Sequence, residues 1–202
     1  MLNCSKNSGK YVITGYGRSG TFYLSTLLND ITDFTVKHEP RGKKDLSKNK
    51  SYYQKIYKDI NQEKYLEINS YLRFWINKIK KTHEIIILAR CPLEIYLSVC
   101  NRKPAHTHIF FAKEISEFCE SYYFSNFRIF KFDNINNMEY IKNLCQYMNL
   151  VITKYPTNEY PKNTNKSIIY KTINDLPSNS KKNICKLHQL SNKYKTIADW
   201  PK

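Results

Sequence analysis

A chain of 202 residues is long enough to bury a sizeable hydrophobic core, and we expect one domain spanning residues 1–202. Hydrophobic residues make up 41% of the chain and aromatic residues 14%, a composition that argues against a disordered protein. The net charge of +16 favours anionic partners, but it does not distinguish nucleic acid, acidic lipid, nucleotides and acidic glycans from one another.

Targeting and redox signals in the sequence indicate a cytoplasmic protein. The amino terminus has no apolar stretch of signal-peptide length, and no segment approaches the roughly 20 apolar residues of a membrane span. The cysteines are scattered without a C-x-x-C pair, which favours reduced thiols over a disulfide framework or a zinc site. They are Cys4, Cys91, Cys100, Cys119, Cys145 and Cys185.

The first part of the chain predicts a strand, a helix and a second strand. Residues 11–15, YVITG, form a β-branched apolar run that ends at glycine, which is typical of a buried strand. Residues 21–30 carry apolar side chains at helical spacings, and residues 34–40 predict a short strand that Pro40 stops. A strand, helix and strand in this order form a βαβ unit, which predicts a parallel sheet.

The same alternation continues along the chain. Apolar periodicity predicts strands at 64–70, 84–90 and 127–134. Helices are expected within the lysine-rich segment 41–64 and at 71–81, 91–102, 113–124, 138–150 and 180–195. We therefore predict an α/β fold with three layers, in which a mainly parallel β-sheet is flanked by helices.

A candidate anion site lies between the first strand and the first helix. Residues 15–20, GYGRSG, have the glycine spacing of a Walker A phosphate loop. Thr21 and Phe22 stand where that loop needs Lys and Ser/Thr, which argues against an ATPase or kinase, and the basic residue Arg18 lies inside the loop instead. A plain strand-to-helix turn is the alternative interpretation. The residues expected to bind an anion here are Gly17, Arg18, Ser19, Gly20, Thr21 and Phe22.

A second candidate site follows the buried strand at 84–90. Arg90 ends that strand, Pro92 follows two residues later, and Ser98 follows eight residues after Arg90. Arg90 could contact a phosphate through two nitrogens while the Ser98 hydroxyl, about two helical turns along, contacts the same group. A simple ion pair of Arg90 is the alternative.

Together the two elements resemble the sulfotransferases that use 3′-phosphoadenosine 5′-phosphosulfate (PAPS). YGRSGTFY at residues 16–23 is similar to the family's phosphosulfate loop, Tyr-Pro-Lys-Ser-Gly-Thr-Thr-Trp, with Gly17 in place of proline and Arg18 in place of lysine. Arg90 and Ser98 match the family's 3′-phosphate element in spacing and in strand-to-helix context. The resemblance implies a P-loop NTPase-like fold, PAPS as co-substrate, adenosine 3′,5′-bisphosphate (PAP) as product, and no metal.

The resemblance also implies a reaction and residues that would catalyse it. An acceptor hydroxyl or amine would attack sulfur in line while the bridging oxygen leaves on PAP. Arg18 is expected to stabilise the charge on that oxygen, because the pKa of arginine is too high for a general acid. The expected base is Glu39, with His38 second and Glu67 third. The alternative for Glu39 is an ion pair with Arg18 or Arg41.

Other functions remain open at the level of the sequence. One is a P-loop kinase or NTPase with a degenerate loop, and another is a basic nucleic-acid-binding module that uses the 17 tyrosines for stacking. We favour a small-molecule or glycan acceptor over nucleic acid as the partner. The acceptor would be acidic if the lysines at 41–64 line its channel. His106 and His108 suggest a metal pair, but no further ligand pattern completes it. The carboxy-terminal loop that covers PAPS in cytosolic family members is not recognisable.

Overall fold

The computed structural model describes residues 10–42, 50–156, 169–181, 184–198 and 200. Five strands in these segments form one sheet in the order β2-β3-β1-β4-β5, and every pairing between neighbours is parallel. The strands are β1 (Tyr11–Gly15), β2 (Thr35–His38), β3 (Tyr65–Ile68), β4 (Glu84–Ala89) and β5 (Arg128–Lys131). The sheet therefore has β1 at its centre, between β3 and β4.

Helices cover both faces of this sheet. They are α1 (Thr21–Ile31), α2 (Lys50–Ile60), α3 (Ile76–Ile79), α4 (Pro92–Cys100), α5 (His108–Tyr122), α6 (Met138–Tyr147), α7 (Ser178–Lys181) and α8 (Ile184–Lys195). Short 3₁₀ helices occur at Ser70–Phe74, Ala105–Thr107, Phe132–Asn134 and Ile173–Asp175. Among the helices of the described segments, none combines the length and the hydrophobicity that a membrane crossing requires.

Alternating side chains of the strands build two separate cores. Ile13 on β1 is buried in a cluster with side chains of α1 and α6. Its neighbour Val12 points to the other face, where α2, α4, α5 and α8 supply the buried apolar partners. Each face of the central strands is thus covered by helices, as expected of a parallel sheet. The predicted three-layer α/β fold, in which a parallel β-sheet is flanked by helices, is confirmed.

Some predicted elements differ from the observed ones. The strand predicted at 127–134 ends at Lys131, and the 3₁₀ helix Phe132–Asn134 follows it. Instead of one amphipathic helix at 71–81, the chain forms a 3₁₀ helix at Ser70–Phe74 and the short α3. In a 3₁₀ helix residues i and i+3 lie on the same side, and Leu72 and Trp75 are both buried. The helix predicted at 113–124 begins earlier, at His108, whose buried ring contacts Ser180 Oγ at 2.7 Å.

Strand order places the two candidate anion elements side by side. The chain leaves β1 toward β2 and β3 on one side, and it leaves β4 toward β5 on the other side. The carboxyl ends of β1 and β4 therefore form the topological switch point at which open α/β sheets bind ligands. Gly15 ends β1 and pairs in register with Leu88 of β4, and Arg90 follows two residues later.

A glycine substitution tests the geometry of the loop that follows β1. Gly20 has φ +98°, and a Cβ atom there would lie 2.1 Å from Cε2 of Phe132. We expect Gly20→Ala to lower the free energy of unfolding by about 1–3 kcal/mol, because the left-handed backbone and the ring both oppose a side chain. Gly17→Ala is the matched control, since no atom lies within 4 Å of its added Cβ. Chemical denaturation of both variants measures the difference, and equal stabilities would contradict this geometry.

Candidate functional site

The loop between β1 and α1 leaves the first turn of α1 open. The N–H of Leu24 donates to the carbonyl of Gly20 at 3.0 Å, so the helix ladder begins there. Among the residues that the structure describes, no side chain caps the helix, and its first turn contains no acidic residue. Its free N–H groups, including those of Thr21 and Phe22, together with the positive end of the helix dipole, can bind an anion.

Ser19, one of the predicted anion-binding residues, has its main-chain N–H engaged within the loop. Its N–H donates to the carbonyl of Tyr16 at 3.0 Å, which closes the turn and removes this amide from the cradle. Its hydroxyl is fully buried beside Gly15 and has no hydrogen-bond partner in the described structure. The N–H of Ser19 is thus engaged within the loop, and the N–H groups at the start of α1 are the ones available to an anion.

Arg18 joins the two candidate elements. Its Nε atom donates to Ser98 Oγ at 3.2 Å, and its own carbonyl accepts from Nη1 of Arg90 at 3.3 Å. Arg18, Arg90 and Ser98, which the sequence places on two distant elements, thus lie together at the switch point. The two sequence elements form one site.

The guanidinium of Arg18 lies among other positive charges. Its pKa is lowered to about 10, first by burial and then by the charges of Arg102 and Arg90. Arg18 still remains protonated at neutral pH, so the cluster retains its positive charge. Sequence reasoning missed Arg102, although it follows Ser98 by four residues, about one helical turn. Arg90 and Arg102 thus lie within electrostatic range of Arg18, and such a cluster of positive charge can bind a ligand with more than one negative charge.

Arg90 also makes the simple ion pair that the sequence left as an alternative. Its Nε atom donates to Oε2 of Glu94 at 2.8 Å, and its guanidinium lies 4.8 Å from the centre of the Phe132 ring. Glu94 is half exposed, and an i,i+4 pair of this kind contributes a few tenths of a kcal/mol, about 0.5 at most. A phosphate can displace such a partner, so the pair is compatible with ligand binding.

A second set of polar groups lies on the β2 side of the loop. The Thr21 hydroxyl is 3.1 Å from Nε2 of His38, and that same nitrogen is 3.7 Å from Oε1 of Glu39. Ser70 donates a hydrogen bond to Oε1 of Glu39. Burial lowers the pKa of His38, against the opposing effect of Glu39. At neutral pH the imidazole is therefore uncharged and able to accept a proton.

Glu67, the third candidate base, is engaged elsewhere. It is fully buried, pairs with Nη2 of Arg41 and accepts from Nδ2 of Asn69 at 2.7 Å. Arg41 also contacts Asp59 at 2.5 Å. The geometry therefore assigns Glu67 a structural role. Within the described residues Glu39 forms no ion pair with Arg41 or Arg18, which is the pair that its alternative interpretation requires.

Arg18 and Glu39 share an unusual backbone conformation. Their φ angles are 78° and 44°, in the left-handed region that side chains other than glycine rarely adopt. Each such residue costs about 1–3 kcal/mol unless the surrounding structure imposes it, and such residues cluster at binding and catalytic sites. The charge of Glu39 also raises the pKa of Arg18, so the two side chains lie within electrostatic range of each other.

The histidines and cysteines form no metal centre in the described part of the chain. No group of three or more His, Cys, Asp or Glu side chains there is arranged to hold a metal ion. His106 lies in a 3₁₀ helix and His108 at the start of α5, so they do not share the face of a strand. Cys91, Cys100, Cys119, Cys145 and Cys185 are free thiols.

Comparison with known proteins does not assign the chain to a family. No protein-family model matches the sequence, and a search of curated proteins finds no match. One similar solved structure is the shikimate kinase of Bacteroides thetaiotaomicron. It shares 14% sequence identity with this chain, with a TM-score of 0.49, over 69% of this chain and 98% of the kinase.

The buried ion pair beside the site provides a test of the structural role of Glu67. Arg41→Ala leaves the Glu67 carboxylate buried without its cation, and we expect a loss of about 3–5 kcal/mol in the free energy of unfolding. Arg128→Ala, which removes an exposed pair to Glu84, is the matched control and should cost less than about 1 kcal/mol. Urea denaturation of both variants gives the comparison. Similar losses in the two would contradict the role assigned to Glu67.

Proposed function

We propose that the protein is a sulfotransferase that moves a sulfuryl group from PAPS to a hydroxyl or amine of an acceptor. The observation that carries the proposal is the contact of Arg18 with Ser98, which brings the phosphosulfate-like loop and the 3′-phosphate-like element into one site. The motifs alone have the right order and spacing. Because the structure places both motifs beside one cluster of positive charge, they support a single ligand that carries two phosphate groups.

In this proposal the two elements bind opposite ends of the same nucleotide. The free N–H groups at the start of α1 bind the 5′-phosphosulfate. Arg90, Ser98 and Arg102 bind the 3′-phosphate, for which an arginine fork and a hydroxyl are suitable donors. A triphosphate loop would concentrate its contacts at the first element, so the cluster at the second element favours a 3′,5′-bisphosphate.

Arg18 supplies charge stabilisation during transfer. As the bond from sulfur to the bridging oxygen breaks, negative charge develops on that oxygen, and a preorganised cation beside it lowers the barrier. With a pKa of about 10, Arg18 stays protonated throughout the reaction at neutral pH. Within the described structure its two Nη atoms have no hydrogen-bond partner, which leaves them for the ligand.

Glu39 and His38 form the acceptor side of the proposed site. One of them takes the proton of the acceptor hydroxyl as that oxygen bonds to sulfur. Glu39 is the better candidate, because its second oxygen, Oε2, has no hydrogen-bond partner in the described structure while Nε2 of His38 contacts Thr21. His38 would then keep the Thr21 hydroxyl and the start of α1 in place.

Nucleotide binding tests the donor half of the proposal. We expect the wild-type protein to bind PAP. Arg90→Ala and Ser98→Ala should each weaken the affinity about tenfold or more, because each removes a hydrogen bond to a charged phosphate. Arg102→Ala should weaken it as well. Isothermal titration calorimetry with PAP and with adenosine 5′-monophosphate, which lacks the 3′-phosphate, makes the measurement.

The surface variant Arg128→Ala is the control for loss of positive charge and should bind PAP normally. Equal affinity for PAP and adenosine 5′-monophosphate would refute the proposal. Metal-dependent turnover of ATP would indicate a kinase or NTPase instead of a sulfotransferase. Salt-sensitive binding of random oligonucleotides that PAP does not displace would favour a nucleic-acid-binding module.

Turnover tests the role of Arg18 separately from binding. In assays with labelled PAPS and a broad acceptor panel, Arg18→Ala should reduce turnover by about 100-fold or more and reduce PAP affinity less, because its charge acts mainly on the leaving oxygen. Loss of PAP affinity with unchanged turnover at saturation would instead make Arg18 a binding residue.

A further inference from the structure

Ser70 is a buried serine in contact with the candidate base, and no motif in the sequence predicts this role. It begins the 3₁₀ helix that follows β3 and is 3% exposed. Its hydroxyl donates to Oε1 of Glu39, a residue 31 positions earlier in the chain. The other carboxylate oxygen of Glu39 has no hydrogen-bond partner in the described structure, and the Glu39 side chain is 23% exposed. One oxygen of Glu39 is thus fixed and the other is accessible.

The backbone around Ser70 is anchored on several sides. The N–H of Asn69 donates to the carbonyl of Ile13 on β1 at 3.0 Å, and the side chain of Asn69 accepts from the N–H of Tyr71 at 2.8 Å. Nη1 of Arg73 donates to the carbonyl of Ser70 at 2.7 Å. Ser70 is therefore held from the central strand, from within its own turn and by a neighbouring guanidinium. A side chain hydrogen-bonded to Ser70 has a well-defined position.

The guanidinium of Arg73 is itself held in place. It lies 4.9 Å from the centre of the Tyr16 ring and 4.3 Å from that of Phe74, as in cation–π contacts. The Tyr16 hydroxyl donates to Oε2 of Glu114 at 3.0 Å, which ties the ring to α5. Contacts from three parts of the chain thus fix the position of Ser70, whose hydroxyl donates to Glu39.

Ser70 and His38 compete for the same oxygen of Glu39. Nε2 of His38 lies 3.7 Å from Oε1, outside hydrogen-bond distance, whereas the Ser70 hydroxyl is bonded to it. Without Ser70, Oε1 would be free to turn toward the imidazole. A close pair of Glu39 with a protonated His38 would then occupy the carboxylate that the reaction needs as a base.

We propose that Ser70 is a positioning residue that holds Oε1 of Glu39 away from His38, so that Oε2 can take the proton of the acceptor. This inference rests on the proposed function, in which Glu39 is the base. The acceptor oxygen forms its bond to sulfur while its proton passes to Oε2. The bond from sulfur to the bridging oxygen breaks, and its electron pair leaves with PAP.

The titration of His38 reports on this arrangement without any acceptor. Glu39 is the charged group that acts on the His38 pKa, and Arg18 and Arg73 lie within electrostatic range of Glu39. Burial holds the pKa of His38 below its ordinary value in the wild-type protein. If Ser70→Ala lets Oε1 approach the imidazole, the closer anion favours the protonated form and the His38 pKa rises.

The experiment is an NMR titration of histidine-labelled protein, with the His38 signal assigned from its loss in His38→Gln. We expect Ser70→Ala to raise the His38 titration midpoint by about 0.5 pH units or more. Ser116→Ala is the matched control, because it removes another buried hydroxyl, bonded to the carbonyl of Ala112, in the interior of α5. It should leave the midpoint unchanged.

A double-mutant cycle with Glu39→Gln completes the test. In that background Ser70→Ala should no longer move the His38 midpoint, since the carboxylate that Ser70 controls is absent. An unchanged midpoint in Ser70→Ala, or a shift that persists with Glu39→Gln, would overturn the positioning role. Should Ser70→Ala fail to fold, Ser70→Cys retains the volume with a weaker donor and should also raise the midpoint. PAP affinity is measured independently, so failure of the proposed function is distinguishable from failure of this inference.

Discussion

The close approach of β1 to β4 at Gly15 is the constraint on which the candidate site depends. A Cβ atom on Gly15 would lie 2.6 Å from the carbonyl oxygen of Leu88 and 2.5 Å from the Ser19 hydroxyl. The absence of a side chain therefore lets the two central strands stay paired to their ends. Because they do, the loop after β1 and Arg90 after β4 meet within hydrogen-bond distance. A wider separation would leave two unconnected phosphate-like motifs.

Without a bound ligand, the candidate site destabilises the folded state through charge repulsion and backbone strain. Three arginines lie within electrostatic range of one another, and burial together with this repulsion lowers the pKa of Arg18. Arg18 and Glu39 also hold left-handed backbones, and such strain persists only where the surroundings impose it. A bound polyanion would offset the repulsion, so part of its binding energy comes from relief of a stress present in the free protein. Ligand binding should accordingly stabilise this fold strongly.

Much of the fold could be predicted from local patterns. Short runs of apolar and β-branched residues predicted the strands, and helical spacings predicted the longer helices, because both signals depend on residues close in sequence. The break at Trp75 could not be predicted, because it depends on the packing of Leu72 and Trp75 into the core. Motif spacing predicted Arg18, Arg90 and Ser98 as candidate phosphate ligands, and the structure places these three residues together. Ser70, Arg73 and Arg102 carry no motif, and only their contacts across distant segments identify them.

In the loop after β1, Arg18 stands where the sulfotransferase loop that it resembles has lysine, and an arginine can contact two partners at once. Arginine has three nitrogen atoms in a rigid plane, so Nε of Arg18 can contact Ser98 while both Nη atoms remain available for a ligand. A lysine carries its three donors on a single nitrogen at the end of a flexible chain, so it lacks this fixed separation between the contact to Ser98 and the contacts to a ligand. Arg18 also stays charged at neutral pH, with a pKa of about 10. In the proposed reaction this residue would therefore link the 3′-phosphate element to the departing oxygen and stabilise the charge on it, and that phosphate oxygen can leave as an anion without receiving a proton.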